Sequence, residues 1–193
     1  TNFCIKSCSV FLICLCFITC NNSTFQYDNI LIPAKESSDD DYYGFVDLNG
    51  EVIIDFEIEN NPTIIYNNFG QYMDQESGTI SLIKYLEDGD FEIIETDYIH
   101  TSFFHEGLAL AVKEIGKLTY IDTDLDEVIV LDSALYAGYF KEGLARFKGI
   151  KSGKWGFIDK EGNVAIEPIY NEVSWFQNGH AIVAIDDGLG AID

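Results

Sequence analysis

The chain has 193 residues, 47% hydrophobic and 14% aromatic, enough to bury a sizeable core in one domain or a short repeat array. Its 33 Asp and Glu against 11 Lys and Arg give a formal net charge of −22 and a pI near 4.1. That field repels polyanions and argues against a nucleic-acid role.

All five cysteines, Cys4, Cys8, Cys14, Cys16 and Cys20, fall in the first twenty residues, so from Asn21 onward there is no disulfide and no thiolate metal site. Within that stretch Val10 to Ile18 reads VFLICLCFI, nine apolar residues preceded by Lys6. Such a run is too short to span a bilayer and suits the core of a secretory signal. It ends in FITC, Phe17 to Cys20, which resembles the bacterial lipobox, with Phe17 and Thr19 where Leu and a smaller residue are commoner. The resemblance implies a lipoprotein signal peptide over 1–20, lipid attachment at Cys20, and a membrane-anchored place in the cell envelope, periplasmic or surface-facing.

Residues 21–42 read as a tether and first strand. NNST is a short polar spacer, NILIPA (Asn29 to Ala34) is the single apolar island, and ESSDDD (Glu36 to Asp41) is expected to be a solvated loop. Six small or acidic residues cannot bury enough apolar surface to order themselves. A Ca²⁺ site is the alternative there.

From Tyr43 to Asp193 the chain repeats itself. FHEGLALAV begins at Phe104, FKEGLARFK at Phe140 and FQNGHAIVA at Phe176, each 36 residues after the last. A second motif echoes with them: YGFVDLNGEVII at Tyr43, LTYIDTDLDEVIV at Leu118, WGFIDKEGNVAI at Trp155 and a terminal LGAID at Leu189. Gly44 and Thr119 are 75 residues apart, about two periods, so a degenerate copy is expected between them. SLIKYLEDGDFEII from Ser81 fills that slot, with a turn at Asp88 and Gly89. About four repeats result, the second degenerate and the last truncated.

Each unit reads as β-structure. GFIDKEGNVAIEP places β-branched and aromatic residues on both sides of a turn at Gly162, the pattern of a hairpin. HAIVAI and LALAV are near-continuous apolar runs, as in strands covered on both faces. Pro168 lacks a ladder donor and marks a strand end or an exposed edge. Each unit thus offers about three short strands, and none can cover its own apolar face, so stacking on neighbours is required. The expected class is all-β, an array of antiparallel hairpin repeats of about 36 residues, closed into a propeller-like ring or left as an open solenoid.

These residues resemble the WG-repeat family of bacterial proteins. The unit from Trp155 to Ile185 matches through Trp155, Gly156, Phe157, Ile158, Asp159, Gly162, Pro168, Tyr170, Phe176 and Gly179. Other copies depart from it, with Thr119 replacing the Gly and Ala134 the Tyr. The resemblance implies repeat architecture and supplies no catalytic residues. In the aromatic-Gly pair, Gly is expected to allow close backbone approach while the aromatic fills the space between hairpins. Trp155, Phe157, Tyr170 and Phe176 are therefore candidate packing or binding aromatics, and Trp155 can serve either as core or as the platform of a groove.

Other chemistry is thinly signalled. DTDLDE (Asp122 to Glu127) starts like an EF-hand loop but has Glu127 where Gly is needed and Ser133 where a bidentate Glu is needed, and it aligns with the hairpin turns. His100, His105 and His180 show no metal spacing and read as turn or surface residues. Asp47, Asp122, Asp159 and Asp193 recur in register and read as structural. No phosphate loop, nucleophile elbow or catalytic triad order occurs, so no catalytic residue, metal or cofactor is expected. The functional expectation is a non-catalytic, lipid-anchored envelope protein that binds an unknown protein or glycan. The alternative is an envelope glycan hydrolase using an acid pair.

Overall fold

The computed structural model describes residues 30–186 and 188–193, and every regular element among them is a β-strand. The signal sequence, Cys20 and the NNST spacer lie outside the described residues. The strands form five antiparallel sheets, taken in chain order. The first holds β1 (Ile32–Ala34), β2 (Tyr43–Val46) and β3 (Val52–Ile58), and the second β4 (Phe69–Met73), β5 (Ile80–Tyr85) and β6 (Phe91–Glu95). The third contains β7 (His100–Thr101), β8 (Ala109–Val112), β9 (Leu118–Ile121) and β10 (Glu127–Leu131). The fourth is β11 (Ala134–Lys141), β12 (Leu144–Gly149), β13 (Trp155–Ile158) and β14 (Val164–Tyr170). The fifth is β15 (Glu172–Val173), β16 (Ala181–Ile185) and β17 (Gly188–Ile192). The third and fourth sheets thus have four strands where the sequence pattern suggests about three.

The all-β expectation holds, and the buried side chains show how the sheets assemble. Successive side chains on a strand point to opposite faces. In β9 Tyr120 packs with Phe140, Phe147 and Ile158 between the third and fourth sheets, whereas its neighbour Ile121 packs with Leu82 and Phe104 between the second and third. In β13 Ile158 joins the first of these cores, and Phe157 joins Val173, Phe176 and Val183 between the fourth and fifth sheets. In β5 Leu82 and Ile83 divide in the same way, Ile83 joining Phe45 and Ile54 between the first and second sheets. Each of the four intervals between successive sheets therefore has its own core. This is why LALAV reads as a continuous apolar run: Leu108 and Leu110 face one core and Ala109 and Ala111 the other. HAIVAI departs from that expectation, since Ala181 and Val183 join the last core while Ile182, on the other face of β16, is 61% exposed.

Two turn series fix the register. In the first, Asp47 Oδ1 accepts from the N–H groups of Asn49 and Glu51 at 2.9 and 2.8 Å, and Asp159 Oδ1 from Glu161 and Asn163 at 3.1 and 2.8 Å. Asp122 does the same for Asp124 and Asp126 at 2.9 and 3.0 Å, so its carboxylate closes a hairpin turn like those of its sister copies. Leu125 stands where the sisters have Gly50 and Gly162 and adopts a φ of 68°, a strained position for a branched side chain. Its side chain packs against the core between the second and third sheets, which offsets that strain.

The second series lies at Asn67–Asn68, Glu106–Gly107, Glu142–Gly143 and Asn178–Gly179. Both residues of each pair have positive φ, from 51° to 87°, as a two-residue type I′ hairpin requires. Glu is a poor choice for that conformation, and its side chain explains its presence. The Glu106 carboxylate accepts the N–H groups of Glu142 and Gly143 at 2.6 and 3.0 Å. Glu142 in turn accepts those of Asn178 and Gly179 at 2.7 and 2.8 Å. Each Glu thus straps its own turn to the turn one repeat further on. Burial disfavours the Glu106 anion, but the Gly143 N–H, Lys160 and the Glu142 N–H outweigh it and hold its carboxyl below the usual range. The N–H groups of Gly179 and Asn178 lower that of Glu142. Both straps contribute stability above the ordinary carboxylate pKa, and it is lost as pH falls through the depressed values. Melts from pH 7 to pH 3 are expected to decline more steeply for the wild type than for the Glu106→Ala/Glu142→Ala double variant. Parallel declines would remove the straps from the account.

Candidate binding surface

The four aromatics singled out in the sequence converge on the interval between the fourth and fifth sheets, but they do not play one role. Phe157 and Phe176 are buried, with ring centroids 5.0 Å apart and edge to face. They are packing residues. Trp155 and Tyr170 are opposite one another on β13 and β14 and lie half-buried at the margin of the same core.

The glycine of the aromatic-Gly pair acts as expected. A Cβ on Gly156 would fall 2.4 Å from the Ile166 carbonyl oxygen and 2.7 Å from Pro168 N. In the first sheet a Cβ on Gly44 would meet the Ile54 carbonyl oxygen at 2.5 Å. At both places only hydrogen fits beside the partner strand. Pro168 sits on β14, the outermost strand of its sheet, as its missing donor demands.

Trp155 opens onto a cluster of aromatic and cationic groups. The Tyr136 ring meets it edge to face at 5.4 Å, the Arg146 guanidinium carbon lies 5.3 Å from its ring centroid, and Lys148 Nζ lies 5.6 Å away. Arg146 and Lys148 are two apart on β12 and so share one side of the strand. The guanidinium also lies 3.6 Å from the ring centroid of Trp175, the closest cation–π approach among the described residues. Arg146 Nη1 donates to the Val173 carbonyl at 3.4 Å. The chain's single arginine and both its tryptophans are therefore in one contact group.

Trp175 also ends an aromatic row that runs across the repeats. It stacks on Tyr139 at 5.1 Å, Tyr139 stacks on His105 at 4.2 Å, and His105 meets Tyr66 at 5.8 Å. Phe103, Tyr139 and Trp175 are spaced by 36 residues, each directly before the Phe of a Phe-x-x-Gly turn. Burial among these rings pushes the His105 imidazole below its ordinary pKa, with the Glu106 carboxylate opposing. His105 is thus wedged between rings, whereas His100 and His180 are exposed as expected.

Sequence reasoning alone passed over Arg146, Tyr139 and Trp175. The periodic aromatic before each turn Phe was a usable signal. The meeting of Arg146 with Trp175 was not, because 29 residues and a sheet boundary separate them.

Comparison with curated proteins gives no match. Among solved structures, the chain resembles the computationally designed Ika8 protein at 14% identity and a TM-score of 0.47, covering 86% of this chain and 55% of that one. It also resembles KlHsv2 with loop 6CD replaced by a Gly-Ser linker, at 13% identity and a TM-score of 0.48, covering 80% of this chain and 58% of that one. This chain therefore spans little more than half the length of either. Residues 43–60 and 155–188, which contain the Tyr43–Gly44 and Trp155–Gly156 pairs, match the family described as WG containing repeat.

Proposed function

We propose that this β-repeat protein works by presenting surface to a protein or glycan of the cell envelope, performs no covalent chemistry, and is held at a membrane by lipid on Cys20. The observation that carries the reading is the use the fold makes of its recurring acids. Asp47, Asp122 and Asp159 close hairpin turns, and Glu106 and Glu142 strap successive turns together. Catalysis requires a few unlike groups converging once, and repeated groups already spent on backbone N–H donors do not meet that requirement. Unlike groups do converge once, around Arg146, and they are aromatic and cationic rather than acid–base partners. Such a surface suits recognition.

A lipid at Cys20 followed by a short polar tether would keep that surface close to the membrane and raise the effective concentration of any partner there. Growth with labelled fatty acid is expected to tag the wild type and leave a Cys20→Ser variant unlabelled; equal labelling of the two would remove the anchor. For the binding role, the full chain is used to retain partners from envelope extract over a series of salt concentrations. Retention that weakens as ionic strength rises is expected, because charged contacts are screened. Absence of any salt-sensitive partner would contradict the proposal.

A further inference from the structure

Arg146 stands where the repeat is broken twice. In the aligned strands its position is occupied by Gln71, Leu110 and Ile182, and the position of Gly138 by Thr63, Ser102 and Ser174. Those three hydroxyls accept a backbone N–H from the strand opposite, at 3.0, 2.9 and 2.9 Å. In the fourth sheet that bond is given up. A Cβ on Gly138 would lie 3.1 Å from Arg146 Cγ and 3.4 Å from Nε, so the bare glycine and the arginine form one feature, space at 138 for the side chain at 146. Among these four aligned pairs of the described residues, the paired departure occurs once.

The charge distribution singles out the same place. Six of the eleven Lys and Arg lie between Lys141 and Lys160, accompanied by only two acids, Glu142 and Asp159. Between Glu36 and Asp97, by contrast, there are seventeen acids and one lysine, Lys84. Lys160 is bound to Glu106 at 3.2 Å. Arg146, Lys148 and Lys151 have no carboxylate within 4.0 Å among the described residues, in a chain with 33 acids available. The buried side-chain nitrogen and oxygen atoms left without a partner among the described residues are Arg146 Nε and Trp175 Nε1, both donors. The cluster is therefore rich in donors and positive charge and short of acceptors.

We propose that Arg146 and Lys148, bordered by Trp155, Trp175 and Tyr136, bind a short anionic sugar, one carrying a carboxylate or a phosphate. Stacking on Trp175 fixes the plane of the guanidinium, and a pre-oriented fork matches the paired oxygens of either anion. Lys148 adds a mobile second cation on the same side of β12. Tyr136, 46% exposed, and the half-buried Trp155 supply ring surface for the apolar face of a sugar. Size decides between ligand classes. Exposed charges are screened beyond about 8 Å at physiological salt, so a short ligand feels the strip rather than the net charge of −22. A protein partner covers about 800 Å² of each surface and would extend onto Glu161, Glu167 and Glu172 nearby in the chain.

The proposal rests on the reading that the array binds without reacting, and its test separates the two. Trp155 and Trp175 are the only tryptophans, so indole emission reports on this cluster. The full chain in mild detergent is titrated with tetragalacturonate, glucose 1-phosphate, neutral maltotetraose and hexaglutamate. Saturable emission changes with at least one acidic sugar, none with maltotetraose and weaker ones with hexaglutamate are expected. Arg146→Gln should weaken binding about tenfold or more, the scale of a lost charge-assisted bond, and Arg146→Lys several-fold because the fork is lost. Lys148→Gln, on a half-exposed side chain, should also weaken it several-fold without moving the melt, which keeps the test decisive if the Arg146 variants unfold. No saturable change with either acidic sugar, equal or tighter binding of hexaglutamate, or unchanged affinity in Lys148→Gln would overturn the site. An envelope partner still retained after such a failure leaves the general binding role standing, whereas breakdown of the sugar by the chain removes that role itself.

Discussion

Phe157→Ala is expected to cost about 3 to 5 kcal/mol, the usual price of truncating a buried aromatic that leaves a cavity. Phe157 is 1% exposed and meets Phe176 edge to face, and it lies on β13, between β12 and β14. Its ring joins the fourth and fifth sheets, so the void opens in the one interval that holds the fifth sheet in place. For a chain of this length, such a loss corresponds to a fall of roughly 10 °C in melting temperature. Trp155→Ala, which removes a half-buried ring at the margin of the same core, should cost clearly less. Calorimetry of the two variants side by side checks the order. A larger loss at Trp155 than at Phe157 would mean that the interval is held from its rim.

The second large effect comes from adding one carbon. In Gly156→Ala the new Cβ would lie 2.4 Å from the Ile166 carbonyl oxygen, 2.7 Å from Pro168 N and 2.9 Å from the Glu167 carbonyl carbon, all backbone atoms of β14. No rotamer change relieves such a contact, so β14 must move away from β13. Overpacking of this kind costs about 1 to 3 kcal/mol, and here the upper end is expected because backbone atoms must shift. Gly190 is the internal control. It occupies the equivalent place in LGAID on β17, where an added Cβ would meet nothing within 4 Å. Gly190→Ala should therefore melt with the wild type. If both glycines tolerate alanine equally, close strand approach is not the reason for the aromatic-Gly pair.

The contrast between these glycines shows what the sequence could and could not reveal. Turns, strands and the two-sided burial of LALAV were legible, because each depends on residues a few positions apart: Asp and Gly at fixed spacing, or an unbroken apolar run. The equally apolar HAIVAI is covered on one face only, with Ile182 exposed, which its own composition does not distinguish. The hairpin at Asn67–Asn68 was hidden, since it lies 39 residues before Glu106–Gly107 rather than 36 and carries no Phe-x-x-Gly signature. The straps from Glu106 and Glu142 were hidden for another reason. Glu-Gly reads as ordinary turn chemistry, and the targets of its carboxylate are backbone groups one repeat away, which no side-chain pattern marks. At the candidate surface, the expectation that Trp155 is either core or platform resolves into a position between the two. Its ring borders the fourth core while Arg146 and Lys148 approach it from their shared side of β12. The pairing of Gly138 with Arg146 becomes meaningful only once the sister hydroxyls are seen bonding across the same gap.

A single incubation tests the central claim, that the array acts by holding a partner and not by transforming it. The full chain is mixed with envelope glycan and peptide fractions, and retained material and newly formed reducing ends or amino termini are measured together. The account expects retained material and no new ends, with retention reduced in Arg146→Gln. It is contradicted if new ends accumulate in proportion to the protein and one Asp→Asn or Glu→Gln substitution abolishes them without changing the melt.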